Sequence, residues 1–306
     1  MDFQREKDLV RDYHSALDAR MWSKAAKLTT QDCTWRGYHP FGALTGPEAV
    51  VDQFWKPLHT SLRHLQRRED LFFAGLNERD DFSSTWVASM GHLVGLFDEP
   101  FLGIPATGRL AFLRYGTFLR VDGDHISEIA FFFDLPHLMV QAGVVPFPHM
   151  RGAQLVQPGP SSHDGLLYEP SPAEEGKKTR AAINAMIADL GTWQSGLPLE
   201  EELARSWIPN MLWWGPTGIG ATYTIPRYAR QHAGPFRAAF SERTKTNHVA
   251  RIAEGHFGGF FGWPNFTARL TTPYQGHPTA NAVGEFRVID FYRREGAPDK
   301  ALSIVR

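Results

Sequence analysis

Residues 91–100, GHLVGLFDEP, return at 255–264 as GHFGGFFGWP, with five identities in ten positions at one offset of 164 residues. Self-similarity at a fixed distance is the mark of a repeated structural unit. Further along, Gly103 and Pro105 match Gly276 and Pro278, and Arg114, Phe118, Arg120 and Gly123 match Arg287, Phe291, Arg293 and Gly296, all at an offset of 173. The change of offset puts nine extra residues in the loop after the second GWP. The chain of 306 residues is long enough for two ordinary domains, and the repeat divides it into copies at 1–145 and 171–306. Residues 146–170, interrupted by Pro and Gly, read as an extended linker. It ends at Ser171, where Ser171-Pro172-Ala173-Glu174 offers a helix cap with proline at the first helical position.

In the first copy Leu9, Tyr13, Ala16 and Leu17 recur at helical spacing. A shorter helix follows over 22–28 and a third over 47–63, so the basic cluster Arg63 to Arg68 falls at a helix end, on a solvated face. After Arg68 the pattern changes to strands, LFFAGLNE, STWVASMGHLVGLF, RLAFLRYGTFLRV and HISEIAFFFD, with Asp122-Gly123 marking a tight hairpin between the last two. The second copy repeats the order: Ile183, Met186, Ile187 and Leu190 on one helix face, a helix around 200–207, and strands from Asn247 onward. Helices first and a meander afterwards indicate segregated α+β. A bent sheet closed by helices encloses a cavity, the ordinary place for a small ligand.

Composition excludes several classes. Lys+Arg 32 against Asp+Glu 33 lacks the basic excess that a nucleic-acid footprint needs. The N-terminus is charged from its second residue, and no apolar run reaches the length of a membrane span, so the expected place is the cytoplasm and no membrane partner is expected. One cysteine, Cys33, permits no internal disulfide and no thiolate zinc pair, and the 13 His do not group at ligand spacing; His59 and His64 point to different sides of a helix. No metal or cofactor is expected. Phosphate-loop, dinucleotide and serine-hydrolase motifs are missing, and GPTGIG at 215–220 reads as a turn.

The runs FGALTGPEAVVDQFWKPL, FLGIPATGR and YGTFLRVDGDHISEIAFFFDLPHLMVQAG resemble a SnoaL-like polyketide cyclase domain of the nuclear transport factor 2-like superfamily. HVARIAEGHFGGFFGWPNF and EFRVIDFYRREG resemble the same family in a more diverged form. The resemblance implies two tandem cone-shaped domains, each with N-terminal helices packed on a strongly curved, mainly antiparallel sheet. It also implies intramolecular aldol ring closure without metal or cofactor, with an acidic residue shuttling the proton. By position in the motif that acid is Asp134, at the end of FFFD, where burial among phenylalanines would raise its pKa toward neutrality. Asp134 is equally placed to cap the following LPHLM helix. His92 and His256 share one place in the repeat. The family's strand carries a His close by, in a register that falls on His92 or Leu93.

Trp35, His39, Trp55 and Tyr115 are the expected lining of the first cavity, with Trp213 and Trp214 corresponding in the second. Asp290 replaces Thr117 in the repeat and is the best acid of the second copy; His256 joins it as a pocket residue. An offset of 173 from Asp134 falls one position past Arg306, so the second copy is expected to lack its last strand and helix, and with them the family acid. Its open sheet edge would favour a homodimer or closely docked copies. The expected function is acid/base catalysis in the first cavity, as a cyclase, isomerase or lyase acting on a small hydrophobic or polyketide-like carbonyl compound. A hydrolase using an acid-activated water and a non-catalytic ligand-binding or dimerising module are the alternatives, because fold alone does not choose among them.

Overall fold

In the first unit Val10, Tyr13, Ala16 and Leu17 form the buried stripe of α1 (Gln4–Asp18), which packs with α2 (Trp22–Lys27). The computed structural model describes residues 2–191, 193, 195–295 and, by their backbone, 302–304. It divides into Met1–Val145 with Val156–Pro170, and Pro146–Leu155 with Ser171–Arg306. The stretch read as a linker is thus shared. Arg151 and Ala153 hydrogen-bond to Gly218 and Ala221 in the second unit, while Gly165 and Leu167 pair with Phe72 in the first.

The rest of the first unit is a mixed sheet and a helical rod. A hairpin of β1 (Thr29–Gly37) and β2 (Gly42–Thr45) leads into α3 (Pro47–Val50), a π-helical turn at Val51–Trp55, and α4 (Lys56–Ser61). Then come β3 (Leu62–Leu76), β4 (Thr85–Phe97), β5 (Leu110–Asp122), β6 (His125–Phe133) and α5 (Leu135–Gln141). The sheet order is β2-β1-β6-β5-β4-β3, antiparallel except for β1 beside β6. Asp122↔His125 closes the expected hairpin, with Gly123 at φ 62° supplying the left-handed residue of the turn. One face of this sheet joins Tyr115, Phe131 and Phe133 to Val10 of α1 and Phe54, Trp55 and Leu58 of the rod in one apolar cluster.

Two sequence readings change here. The basic cluster is not a helix end: Arg63 to Arg68 lie in β3, where alternation turns Arg67 into the interior and leaves Arg63 and His64 exposed. His64 therefore shares no helix with His59. The strands of the β1–β2 hairpin, with polar residues between apolar ones, are an element that the helical and strand periods did not mark.

The second unit begins with α6 (Ala173–Leu190), whose cap position is Pro172 without any side-chain cap, so Ser171 does not serve as expected. After α7 (Leu199–Leu203) comes a hairpin of β7 (Leu212–Trp214) and β8 (Ala221–Tyr223), with GPTGIG as its turn. Next follow α8 (Ile225–Tyr228), a π-helical turn at Ala229–Ala233, and α9 (Gly234–Ala239). Strands β9 (Phe240–Ser241), β10 (Ala250–Glu254), β11 (Phe257–Leu270), β12 (Val283–Arg294) and β13 (Leu302–Ile304) complete it. Strand β13 pairs antiparallel with β12, so a strand stands where the sequence expectation left none. Gly296 lies outside the described residues.

Strand register also corrects the repeat. Trp86 faces Arg120 across β4–β5, and Phe257 faces the matching Arg293 across β11–β12. Phe257 therefore stands where Trp86 does, and His256, in the turn before β11, does not correspond to His92 in mid-strand. The nine-residue loop insertion disappears with it. The register break in β11 between Gly262 and Phe266, around Trp263-Pro264, absorbs the difference.

Candidate functional site

The interior of the first unit is filled by rings. Trp35, Trp55 and Tyr115 are almost wholly buried. Trp35 packs on Phe41, Phe54 and Phe131, Trp55 on Phe54 and Phe131, and Tyr115 stacks on Phe131 at 5.5 Å. Beyond them several polar groups pair with one another, while Trp55 Nε1, both His59 ring nitrogens and Arg67 Nη1 are buried without a hydrogen-bond partner among the described residues. Arg67 pairs with Asp18 at 3.2 Å and lies over the rings of Trp55 and Tyr115. Glu69 takes hydrogen bonds from Ser89 at 3.0 Å and Tyr168 at 3.1 Å, and His14 Nδ1 stands 2.9 Å from it. Burial opposes the charge of Glu69, but His14, Arg67 and Ser89 outweigh it and hold the carboxyl at about 2. Burial, with Arg67 adding to it, lowers the pKa of His14 and keeps that ring neutral.

The residues expected to do chemistry in this unit are elsewhere. Tyr115 and Phe133 pair on the interior face, so their neighbours Arg114 and Asp134 fall on the other face, with His92 opposite Arg114. Asp134 Oδ2 accepts from Arg114 at 2.8 Å and Oδ1 from the His137 amide at 3.1 Å, the cap of α5. Strand alternation puts Asp134 on the face of Phe132, away from the interior cluster of Phe131 and Phe133, where its side chain is largely buried and paired with Arg114. His92 is buried on the same far face, edge-on to Phe112, and Leu93 takes the interior position. His39 is exposed in the β1–β2 turn.

The second unit holds a cavity of about 380 Å³, within the range of small-molecule sites. Its walls are largely aromatic, with Trp193, Trp207, Tyr228, Phe236, Phe260, Phe266 and Tyr274 among them. Asp290 is on its wall and buried, and Tyr292 Oη donates to Asp290 Oδ2 at 3.0 Å. His248 stacks on Phe260 at 3.8 Å, and its Nδ1 accepts from Arg251 at 2.9 Å. A guanidinium only donates, so the neutral ring carries its proton on Nε2. Trp207 Nε1, Tyr274 Oη and Asn265 Oδ1 are buried cavity-lining atoms without a hydrogen-bond partner. Each such atom costs about 1–3 kcal/mol unless a ligand atom meets it. Burial also pushes the Tyr274 phenol up to about 12, so it is a donor at neutral pH.

Of the residues expected in this cavity, only Asp290 lines it. His256 is about half exposed in its turn, 3.8 Å from Glu175, and Trp214 borders a separate groove with Leu212 and Tyr223. Strand parity turns Trp213 inward instead, where it stacks on His232 at 4.5 Å. Sequence reasoning missed Trp207, His232, Arg243, His248 and Asn265. Among the described residues no three His, Cys, Asp or Glu gather to hold a metal ion, and no helix is long and apolar enough to cross a membrane.

Residues 10–129 match the family described as SnoaL-like domain. The first unit is a SnoaL-like domain. The solved structures similar to the chain include a candidate polyketide cyclase from Xanthomonas campestris pv. campestris, at 20% identity and a TM-score of 0.37, covering 45% of this chain and 97% of that one. They also include an NTF2-like protein from Burkholderia thailandensis, at 20% identity and a TM-score of 0.35, covering 45% and 95%. No curated protein matches the chain. The SnoaL-like match stops before Asp134 and covers neither the linker nor the second unit.

Proposed function

We propose that the second unit is a diverged copy of the SnoaL-like domain and that its cavity is the reaction site. The first part rests on repeated local geometry. Trp35 and Trp213 each curl over a glycine two residues on, so close that a Cβ at Gly37 or Gly215 would stand 2.1 or 2.2 Å from the ring. Each hairpin then runs through a left-handed residue, Gly46 or Thr224, into a short helix, a π-helical turn and a second helix.

The reaction is cofactor-independent acid/base chemistry of the cyclase, isomerase or lyase type on a small or polyketide-like carbonyl compound. Asp290 in the wall of an aromatic cavity is the observation that carries this reading. Its carboxylate takes a proton from the carbon beside the carbonyl, and the electron pair moves onto the carbonyl oxygen as an enolate. The Nε1–H of Trp207, whose ring packs on Tyr292 next to Asp290, is a donor for that oxygen. The enolate carbon then forms its new bond, or regains the proton at another position, and Asp290 returns the proton. A positioned acid/base group contributes roughly 10² to 10⁴-fold, enough for an activated methylene.

The test is hydrogen–deuterium exchange at the methylene of an aryl β-diketone in heavy water, followed by proton NMR. Asp290→Asn should slow catalysed exchange by roughly 10² to 10⁴-fold. Asp134→Asn should leave it near wild type. Exchange unchanged in Asp290→Asn, or lost in Asp134→Asn alone, returns the chemistry to the first unit.

A further inference from the structure

Three arginines, Arg237, Arg243 and Arg287, stand in the cavity wall of the second unit, and among the described residues only Arg243 has no carboxylate partner; Arg287 pairs with Glu285 at 3.2 Å. Arg237 pairs with the buried Glu202 at 2.5 and 3.1 Å. Arg243 gives one terminal nitrogen to the Gly191 carbonyl at 2.5 Å and the other to the Thr246 hydroxyl at 2.8 Å, both uncharged. Its Nε is buried without a partner, and among the described residues no carboxylate lies within ion-pair distance of it. The plane of the guanidinium lies over Phe266 at 4.4 Å and near Trp193 at 5.2 Å. Burial, with Arg237 adding to it, lowers the pKa of Arg243, the mark of a cation held without a counter-charge.

We propose that the cavity takes an anionic ligand, a planar aromatic or conjugated carboxylate, whose charged end is bound by Arg243. The inference rests on the reading of this cavity as the ligand site and adds the substrate class. A carboxylate at the fork would supply the missing counter-charge and accept from Nε–H, while Phe266 and Trp193 hold the guanidinium plane in place. The strand register gives a ruler. Phe266, under Arg243, pairs with Phe286, and Asp290 is four residues further along β12, about 13 Å away at the rise of a strand. The reacting carbon and the anionic group would thus be separated by roughly the length of two or three fused rings. That distance also keeps the ligand's charge away from the carboxylate that must take the proton.

The test compares 2-naphthoate with its neutral isostere 2-naphthamide by titration calorimetry on the full chain. Wild type should bind the acid at least about tenfold tighter than the amide, a difference of about 1.4 kcal/mol. Rising salt should weaken the acid alone. Arg243→Gln should make the two ligands equal, and Arg243→Lys should keep part of the preference. Equal binding in wild type, or a preference that survives Arg243→Gln, overturns the proposal. If Arg243→Gln does not fold, the wild-type pair and its salt dependence decide. Tight binding of both ligands would sink the anion site yet keep the cavity as a ligand site; binding of neither would remove both.

Discussion

The two units solve the same packing problem in opposite ways. At the last position of its π-helical turn the first unit has Trp55, which fills the interior against Phe54 and Phe131. The matching position in the second unit is Ala233, and its methyl lines the cavity. One position earlier Phe54 is matched by His232, stacked on Trp213 as Phe54 packs on Trp35. Thr117 on β5 is matched by Asp290 on β12, both facing inward. A large ring exchanged for a methyl opens the cone, and a hydroxyl exchanged for a carboxyl gives it an acid. On the proposed reading of the second unit as a diverged copy, the scaffold leaves occupancy of the interior to a few side chains at the helix–sheet contact.

The largest effect should come from hollowing the filled unit. Trp55→Ala removes a buried indole that Arg67 also covers, and should destabilise the first unit by about 3–5 kcal/mol in urea unfolding. A loss below about 1 kcal/mol would mean that Trp55 is not what fills it. The reverse change, Ala233→Trp, should weaken 2-naphthoate binding more than tenfold, or about 1.4 kcal/mol, with the fold retained by circular dichroism. Unchanged binding would place the ligand outside the cavity.

Acid should act on the filled interior next. Burial, with Arg20 and Arg67, lowers His59 to about 4, and His14 is lowered by burial and Arg67. A lowered histidine binds fewer protons folded than unfolded, so its share of stability is present above about 6.5 and is lost as the pH falls toward 4. Glu69, held at about 2 against an ordinary 4.5, adds a loss from 4.5 downward. Melting curves at pH 7, 5.5 and 4 should show the first unit losing several degrees, roughly 1–3 kcal/mol. His59→Gln should flatten the upper part of that slope. The smallest effect is expected from Asp134→Ala, which removes the α5 cap and the Arg114 partner and should cost about 1–2 kcal/mol of stability. A steep loss of proton exchange in that variant would break the comparison, because it would make the filled unit the reactive one.

Much of the architecture was legible in the chain. Helical spacing marked α1 and α6, and alternation marked β4, β5 and β6, because one buried face imposes its period on the side chains. Asp122-Gly123 named its hairpin, and Asp134 was readable as a cap because capping is local. The identities between GHLVGLFDEP and GHFGGFFGWP align His92 with His256, and the strand registers do not. Strand pairing, which joins β11 to β12 through a bulge, sets the correspondence and is not written in local identity. The two hairpins escaped because β2, β7 and β8 have only three or four residues each, too few to show a period, and β1 carries polar residues between its buried ones.

The sequence by itself determined that there are two α+β units and where the division between them falls to within the stretch 146–170. Only the tertiary structure decided which interior is full. Volume is a sum over side chains from separate elements: Trp55 from the rod, Tyr115 and Phe131 from the sheet and Val10 from α1 meet in one place, and no segment contains that sum. The same holds for face. One residue of strand parity carried Asp134 and His92 to the far side of the sheet from Tyr115, and the same parity turned Asp290 into the cavity.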